Sequence, residues 1–136
     1  MTAAVTSILY AAVLALYDIK NKRLPLALCI GFLLEGIVCM LIKKTEIAAL
    51  IPGAILCIIS FLSRGSLGIG DGIVTIAIGM HIGLEKTIYA LCIAFVISSI
   101  YGAVLFVIKK NGKYEMPFIP FICTGLTIAI LLGGIR

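Results

Sequence analysis

Two aspartates are the residues of this chain whose type and setting suit chemistry. Asp71 closes the run Gly68-Ile69-Gly70-Asp71 at the edge of an apolar stretch, and Asp18 stands at the edge of another. A carboxylate at the margin of a membrane segment is costly, so each asks for a reason. Two carboxylates that share one proton form an acid–base pair acting on water. One takes a proton from the water, and its protonated partner hydrogen-bonds the carbonyl under attack. That is chemistry for cutting a peptide bond, and it needs no metal, cofactor or covalent intermediate. A helix dipole favours charge on Asp71, at the start of its stretch, and disfavours it on Asp18, near the end of its own. Lys20, Lys22 and Arg23 lie close to Asp18 and push the other way. The titration belongs to the pair, so acid and base are assigned jointly. Gly68, Gly70 and Gly72 free the backbone to turn and leave space beside Asp71 for an approaching peptide. The plainer alternative makes Asp71 a helix N-cap after a glycine turn.

The elements that must position these acids follow from composition. Of 136 residues, 62% are hydrophobic and 12% charged, about half the usual charged share of soluble domains. The mean hydropathy is +1.27. These totals predict an all-α membrane protein with a single domain over 1–136 and no separate soluble domain. Six apolar spans are expected, over 2–17, 24–42, 46–62, 70–85, 87–108 and 117–135. The first, third and fourth are short for a bilayer, which takes about 20 apolar residues.

The net charge of +5 reports loop orientation rather than nucleic-acid binding. Lys20, Lys22, Arg23, Arg64, Lys109, Lys110 and Lys113 fall on one side of a six-helix bundle. Lys43, Lys44, Lys86 and Arg136 fall on the other. The positive-inside rule then puts the N-terminus outside and the 18–24, 63–70 and 109–116 loops in the cytoplasm. Asp18 and Asp71 come out on that same side. Ala4, Ser7, Ala11 and Ala15 share a helical face with Asp18. Gly72, Thr75, Gly79 and Gly83 form a comparable small-residue stripe on the fourth span. Such stripes let helices approach closely in lipid, so the first and fourth spans are expected to pack together. Generic packing without catalytic purpose is the alternative.

Other residues carry less. Cys29, Cys39, Cys57, Cys92 and Cys123 lie inside apolar runs without a CxxC pair, and read as small buried apolar residues rather than a zinc site or disulfide framework. No basic n-region or cleavage site precedes the first apolar run, so that run is expected to be a retained helix. Glu35 lies roughly 15 Å into the second span, either protonated within the bundle or in contact with substrate. His81 lies roughly 15 Å along a helix from Asp71, too far for direct proton transfer. Lys109, Lys110 and Lys113 serve topology and contribute to anionic-lipid binding.

The segments YDIKNKRLP at 17–25, GIGD at 68–71 and PFIPF at 117–121 together resemble the aspartic type 4 prepilin peptidases, membrane enzymes of the GxGD group. Asp18, Lys20, Leu24 and Pro25 match the family's first aspartate pattern, with Leu26 where Asn is usual. Asp71 matches the second, although Gly72 and Ile73 stand where an apolar residue and Lys usually follow. Pro117, Phe118, Pro120, Phe121 and Gly125 match the third, with Ile119 where Gly is common. The resemblance implies a catalytic pair Asp18 and Asp71. It implies removal of leader peptides from prepilins or pseudopilins, cut just after Gly at the cytoplasmic face of a prokaryotic cytoplasmic membrane. Tyr17, Pro25 and the Pro117–Pro120 segment with Phe121 would shape the substrate groove. Larger relatives carry an N-terminal cytoplasmic region with CxxC pairs and methylate the new N-terminus. That region is absent from this sequence, so peptidase without methyltransferase activity is expected.

Two other classes compete. A small proton-coupled transporter or channel also uses intramembrane carboxylates and glycine-broken helices, but gives no reason for PFIPF together with the first aspartate pattern. A non-catalytic subunit of a pilus or secretion assembly gives no reason for two aspartates on one face.

Overall fold

The computed structural model describes residues 2–21, 25–62, 68–109 and 117–133. They form six α-helices and a single 3-10 turn: α1 (Thr2–Asn21), α2 (Leu26–Lys43), the 3-10 turn Ile47–Leu50, α3 (Ile51–Leu62), α4 (Ile69–Ile82), α5 (Leu84–Lys109) and α6 (Ile119–Gly133). The expected spans each correspond to a helix, and no strand occurs among the described residues. Residues 22–24, 63–67 and 110–116, which hold Lys22, Arg23, Arg64, Lys110 and Lys113, lie outside the described residues. Among the described residues one helix, over Leu84–Ile108, is long and apolar enough by itself to cross a membrane, with a mean hydropathy of 2.6. The stretches Ile47–Leu62, Ile69–Ile82 and Ile119–Gly133 are shorter and apolar.

α4 is the hub. It packs against α1, α2, α3, α5 and the 3-10 turn, and Asp71, Gly72, Val74, Thr75, Ala77, Ile78, Gly79, Met80 and His81 are all buried on it. Small residues make that possible, because each neighbour reaches the α4 backbone where a larger side chain would stand. A Cβ on Gly72 would collide with Cys57 of α3, and one on Gly79 with the carbonyl of Ala49 in the 3-10 turn. Gly53 of α3 answers from the other side, against Ile76 and the Gly72 carbonyl. Gly72 and Gly79 therefore serve α3 and the 3-10 turn rather than α1. α1 does touch α4, and Ser7, Ala11 and Ala15 of its small face are buried. Its larger contact is with α6.

Gly83 lies outside the α4 stripe expected of it. With φ of 86° it ends α4, a conformation that costs glycine no Cβ clash. Leu84 begins α5 at the next residue, so Lys86 falls in the first turn of α5 rather than in a loop. Hydroxyls in this apolar setting bond backwards to their own helix. Thr75 Oγ1 donates to the Asp71 carbonyl at 2.7 Å, and Thr87 Oγ1 to the Gly83 carbonyl at 2.7 Å. Outward faces are apolar: Val96, Ile100, Phe106, Val107 and Ile108 of α5 and Leu34, Leu41 and Ile42 of α2 are exposed.

Candidate active site

Asp71 is the third residue of α4, and Gly68, not Asp71, occupies the N-cap position with an extended backbone. The Asp71 N–H donates to the Gly68 carbonyl at 3.0 Å. Its side chain folds back and accepts from the Gly68 backbone. This is the return half of a capping box, in which an acid at the third position satisfies the N-cap amide. A Cβ on Gly68 would stand 3.3 Å from Asp71 Oδ2, which gives that glycine a steric reason. Asp71 is 7% exposed.

Asp18 sits in the last turn of α1 and is 9% exposed. Its Oδ2 accepts the backbone N–H of Ile119, the first residue of α6, at 3.4 Å. Asp18 and Asp71 are near enough to act on one another electrostatically. The two acids singled out from sequence therefore share one buried place, each at the start of an α-helix: Asp71 on its own, Asp18 on α6.

The remaining expected site residues fall around this pair in different ways. Pro25 is the N-cap of α2, and its carbonyl accepts the N–H groups of Leu28 and Cys29. Gly70 is half-buried and Gly72 is the contact point for Cys57. Tyr17 is exposed, on a different face of α1 from Asp18. Pro117 and Pro120 are half-buried at the mouth of α6. Phe118 and Phe121 turn toward α5, with ring centroids 5.2 Å from Phe95 and 5.5 Å from Tyr101. They fasten the start of α6 to α5.

Three residues near the pair were not singled out from sequence. Cys29 of α2 is buried and within electrostatic reach of Asp71. Cys57 of α3 packs on Gly72. Ile119 contributes a backbone N–H, which no side-chain pattern advertises. The clue present in the sequence is the pair of prolines flanking it.

His81 is fully buried and sits apart, near the other end of α4. Its Nδ1 lies 2.7 Å from the Ala77 carbonyl and donates to it, and Nε2 is buried with no hydrogen-bond partner among the described residues. The ring stacks on Phe32, centroid to centroid 5.0 Å, and Phe32 stacks in turn on Tyr10 at 4.9 Å. Glu35 is half-buried on α2 beside Gly36, which packs on Met80 and His81.

A family model described as the type IV leader peptidase family matches residues 5–107. No curated protein and no solved structure matches the chain. The matched region holds both buried aspartates and covers more than half of the sequence. The chain belongs to the type IV leader peptidase family.

Proposed function

We propose that this peptidase-family member is an aspartic endopeptidase of the prokaryotic cytoplasmic membrane. Its substrates are type IV prepilins or pilin-like precursors, and it cuts after Gly at the cytoplasmic face to release the leader. The observation that carries this reading is the burial of Asp18 and Asp71 within electrostatic reach of one another, inside the region matched by the family. Asp18 and Asp71 are the only aspartates in the chain.

The chemistry follows from one shared proton. The ionised carboxylate takes a proton from water as the water oxygen bonds to the scissile carbonyl carbon. The protonated partner gives its proton to the carbonyl oxygen. The resulting diol then collapses: the C–N bond breaks, the amine nitrogen receives the first proton, and a diol hydroxyl returns the second to its carboxylate. One water is consumed and both aspartates end as they began.

A six-span bundle with the N-terminus outside places this site at the cytoplasmic edge. The apolar outward faces of α2 and α5 support a lipid surround. α4 has 14 residues, about 21 Å at 1.5 Å each, short of a hydrocarbon core of about 30 Å. A short helix suits an acid that must be reached from the water side while staying beneath the membrane surface.

The test is co-expression with a recombinant type IV prepilin, followed by gel mobility of the precursor. Cleavage by the unaltered chain and none by Asp18→Asn or Asp71→Asn is expected. Full processing by both variants overturns the mechanism.

A further inference from the structure

Among the first four residues of α6, Ile119 alone has an N–H that is not taken up by the Phe118 carbonyl. The first amides of an α-helix have no partner within it. In α6 Pro120 has no N–H at all. The N–H groups of Phe121 and Ile122 both donate to the Phe118 carbonyl, at 3.0 and 3.2 Å. That leaves the amide of Ile119, which is directed at Asp18 Oδ2. The Ile119 side chain is fully buried and belongs to the apolar core with Ile122 and Leu126, so the direction of its amide is fixed by packing. Asp18 receives this donor in the last turn of its own helix, where the α1 dipole opposes a negative charge. The opposite end of the α6 dipole meets it there.

We propose that Ile119 is a positioning residue for hydrolysis, its backbone N–H holding the Asp18 carboxylate in place for the reaction it shares with Asp71. The proposal rests on the aspartic-peptidase reading. Pro120 is part of the device because it removes the neighbouring donor that would compete for Asp18.

Ile119→Pro removes the N–H at a helix position that tolerates proline. Ile119→Ala keeps the N–H and removes the buried side chain, so it measures the packing contribution alone. With a recombinant type IV prepilin as substrate, kcat of the proline variant is expected to fall roughly 10- to 100-fold below that of the alanine variant, the scale of one hydrogen bond to a charged group. KM is expected to match between the two. Because the chain has two aspartates, carboxyl-13C aspartate labelling gives two side-chain signals, assigned by Asp18→Asn. The Asp18 signal is expected to move in the proline variant relative to the alanine variant.

Equal kcat and an unmoved Asp18 signal in the two variants overturn the positioning role. If the unaltered chain cleaves and Asp18→Asn does not, that result leaves the peptidase reading standing. Failure of the unaltered chain to cleave overturns the peptidase reading and the positioning role together, whatever the Asp18 signal does. Should Ile119→Pro not fold, the 15N–1H signal of the Ile119 amide in Asp18→Asn decides instead: a large shift supports the contact, and an unchanged signal overturns it.

Discussion

The carboxylate of Asp18 on α1 and the backbone N–H of Ile119 on α6 meet at 3.4 Å across 101 positions of sequence. This contact joins the first of the two acids to the last helix of the chain. α6 itself lies beyond the matched 5–107 region, yet its first residue touches the candidate site. α5 holds that residue in place through the Phe95–Phe118 and Tyr101–Phe121 ring contacts. Phe118→Ala is therefore expected to lower both stability, by about 2–3 kcal/mol for a partly buried ring, and cleavage. Phe118→Leu is expected to recover most of the stability. Thermal unfolding in detergent and the gel assay check both, and an unaffected Phe118→Ala variant would remove the aromatic anchor from the account.

Gly72→Ala tests the close approach of α3 to α4. The new Cβ would collide with Cys57 Sγ and lie 2.9 Å from the Cys57 backbone nitrogen. Overpacking of this kind costs about 1–3 kcal/mol. Adding Cys57→Ala relieves the sulfur clash but not the backbone one, so only part of the loss should return. Gly31→Ala is the control: nothing lies within 4 Å of a Cβ there, and a helical Gly→Ala change is expected to be neutral or stabilising by up to about 1 kcal/mol. Equal melting temperatures for Gly72→Ala and Gly31→Ala would contradict the packing.

Gly68→Ala acts on the site rather than on the core. Gly68 is exposed, but its Cβ would stand 3.3 Å from Asp71 Oδ2. The carboxylate must shift by a few tenths of an ångström. A fall of about tenfold in kcat is expected, corresponding to about 1.4 kcal/mol, with little change in melting temperature. An unchanged kcat would show that Asp71 tolerates displacement.

His81→Phe separates the far end of α4 from catalysis. Phenylalanine keeps the ring against Phe32 and removes the unpartnered Nε2. A buried polar atom left without a partner costs about 1–3 kcal/mol, while the Nδ1 bond to Ala77 is lost. The expected outcome is equal or higher thermal stability with prepilin cleavage retained. Loss of cleavage in a folded variant would bring His81 into the reaction.

The proposed orientation is open to cysteine labelling. The five native cysteines are free and would first be replaced. A single cysteine in place of exposed Glu46, between α2 and the 3-10 turn, is expected to react with an impermeant maleimide in intact cells. One in place of exposed Lys20 is expected to react only after permeabilisation. The reverse pattern would invert the topology.

Much of this protein is decided locally, and so was legible in its sequence. Long apolar runs separated by short basic or glycine-containing loops dictate helices wherever they occur, because backbone polar groups in an apolar setting must be satisfied within the helix. The two aspartates stand out for the opposite reason, as charges where charge is costly. Their motifs carried the family. What sequence periodicity could not decide was partnership. The glycine stripe of α4 fits any close neighbour, and the order of the chain does not say that α3 and the 3-10 turn take it while α1 turns to α6. Gly83 continues the stripe in sequence and leaves the helix in space, because its positive φ is a backbone property that the spacing does not encode. The hydrogen bond to Asp18 is the clearest case. Its donor is a main-chain amide, selected because Pro120 lacks an N–H and the next two amides are already bonded. Only the docking of α6 against α1 brings that amide to the carboxylate.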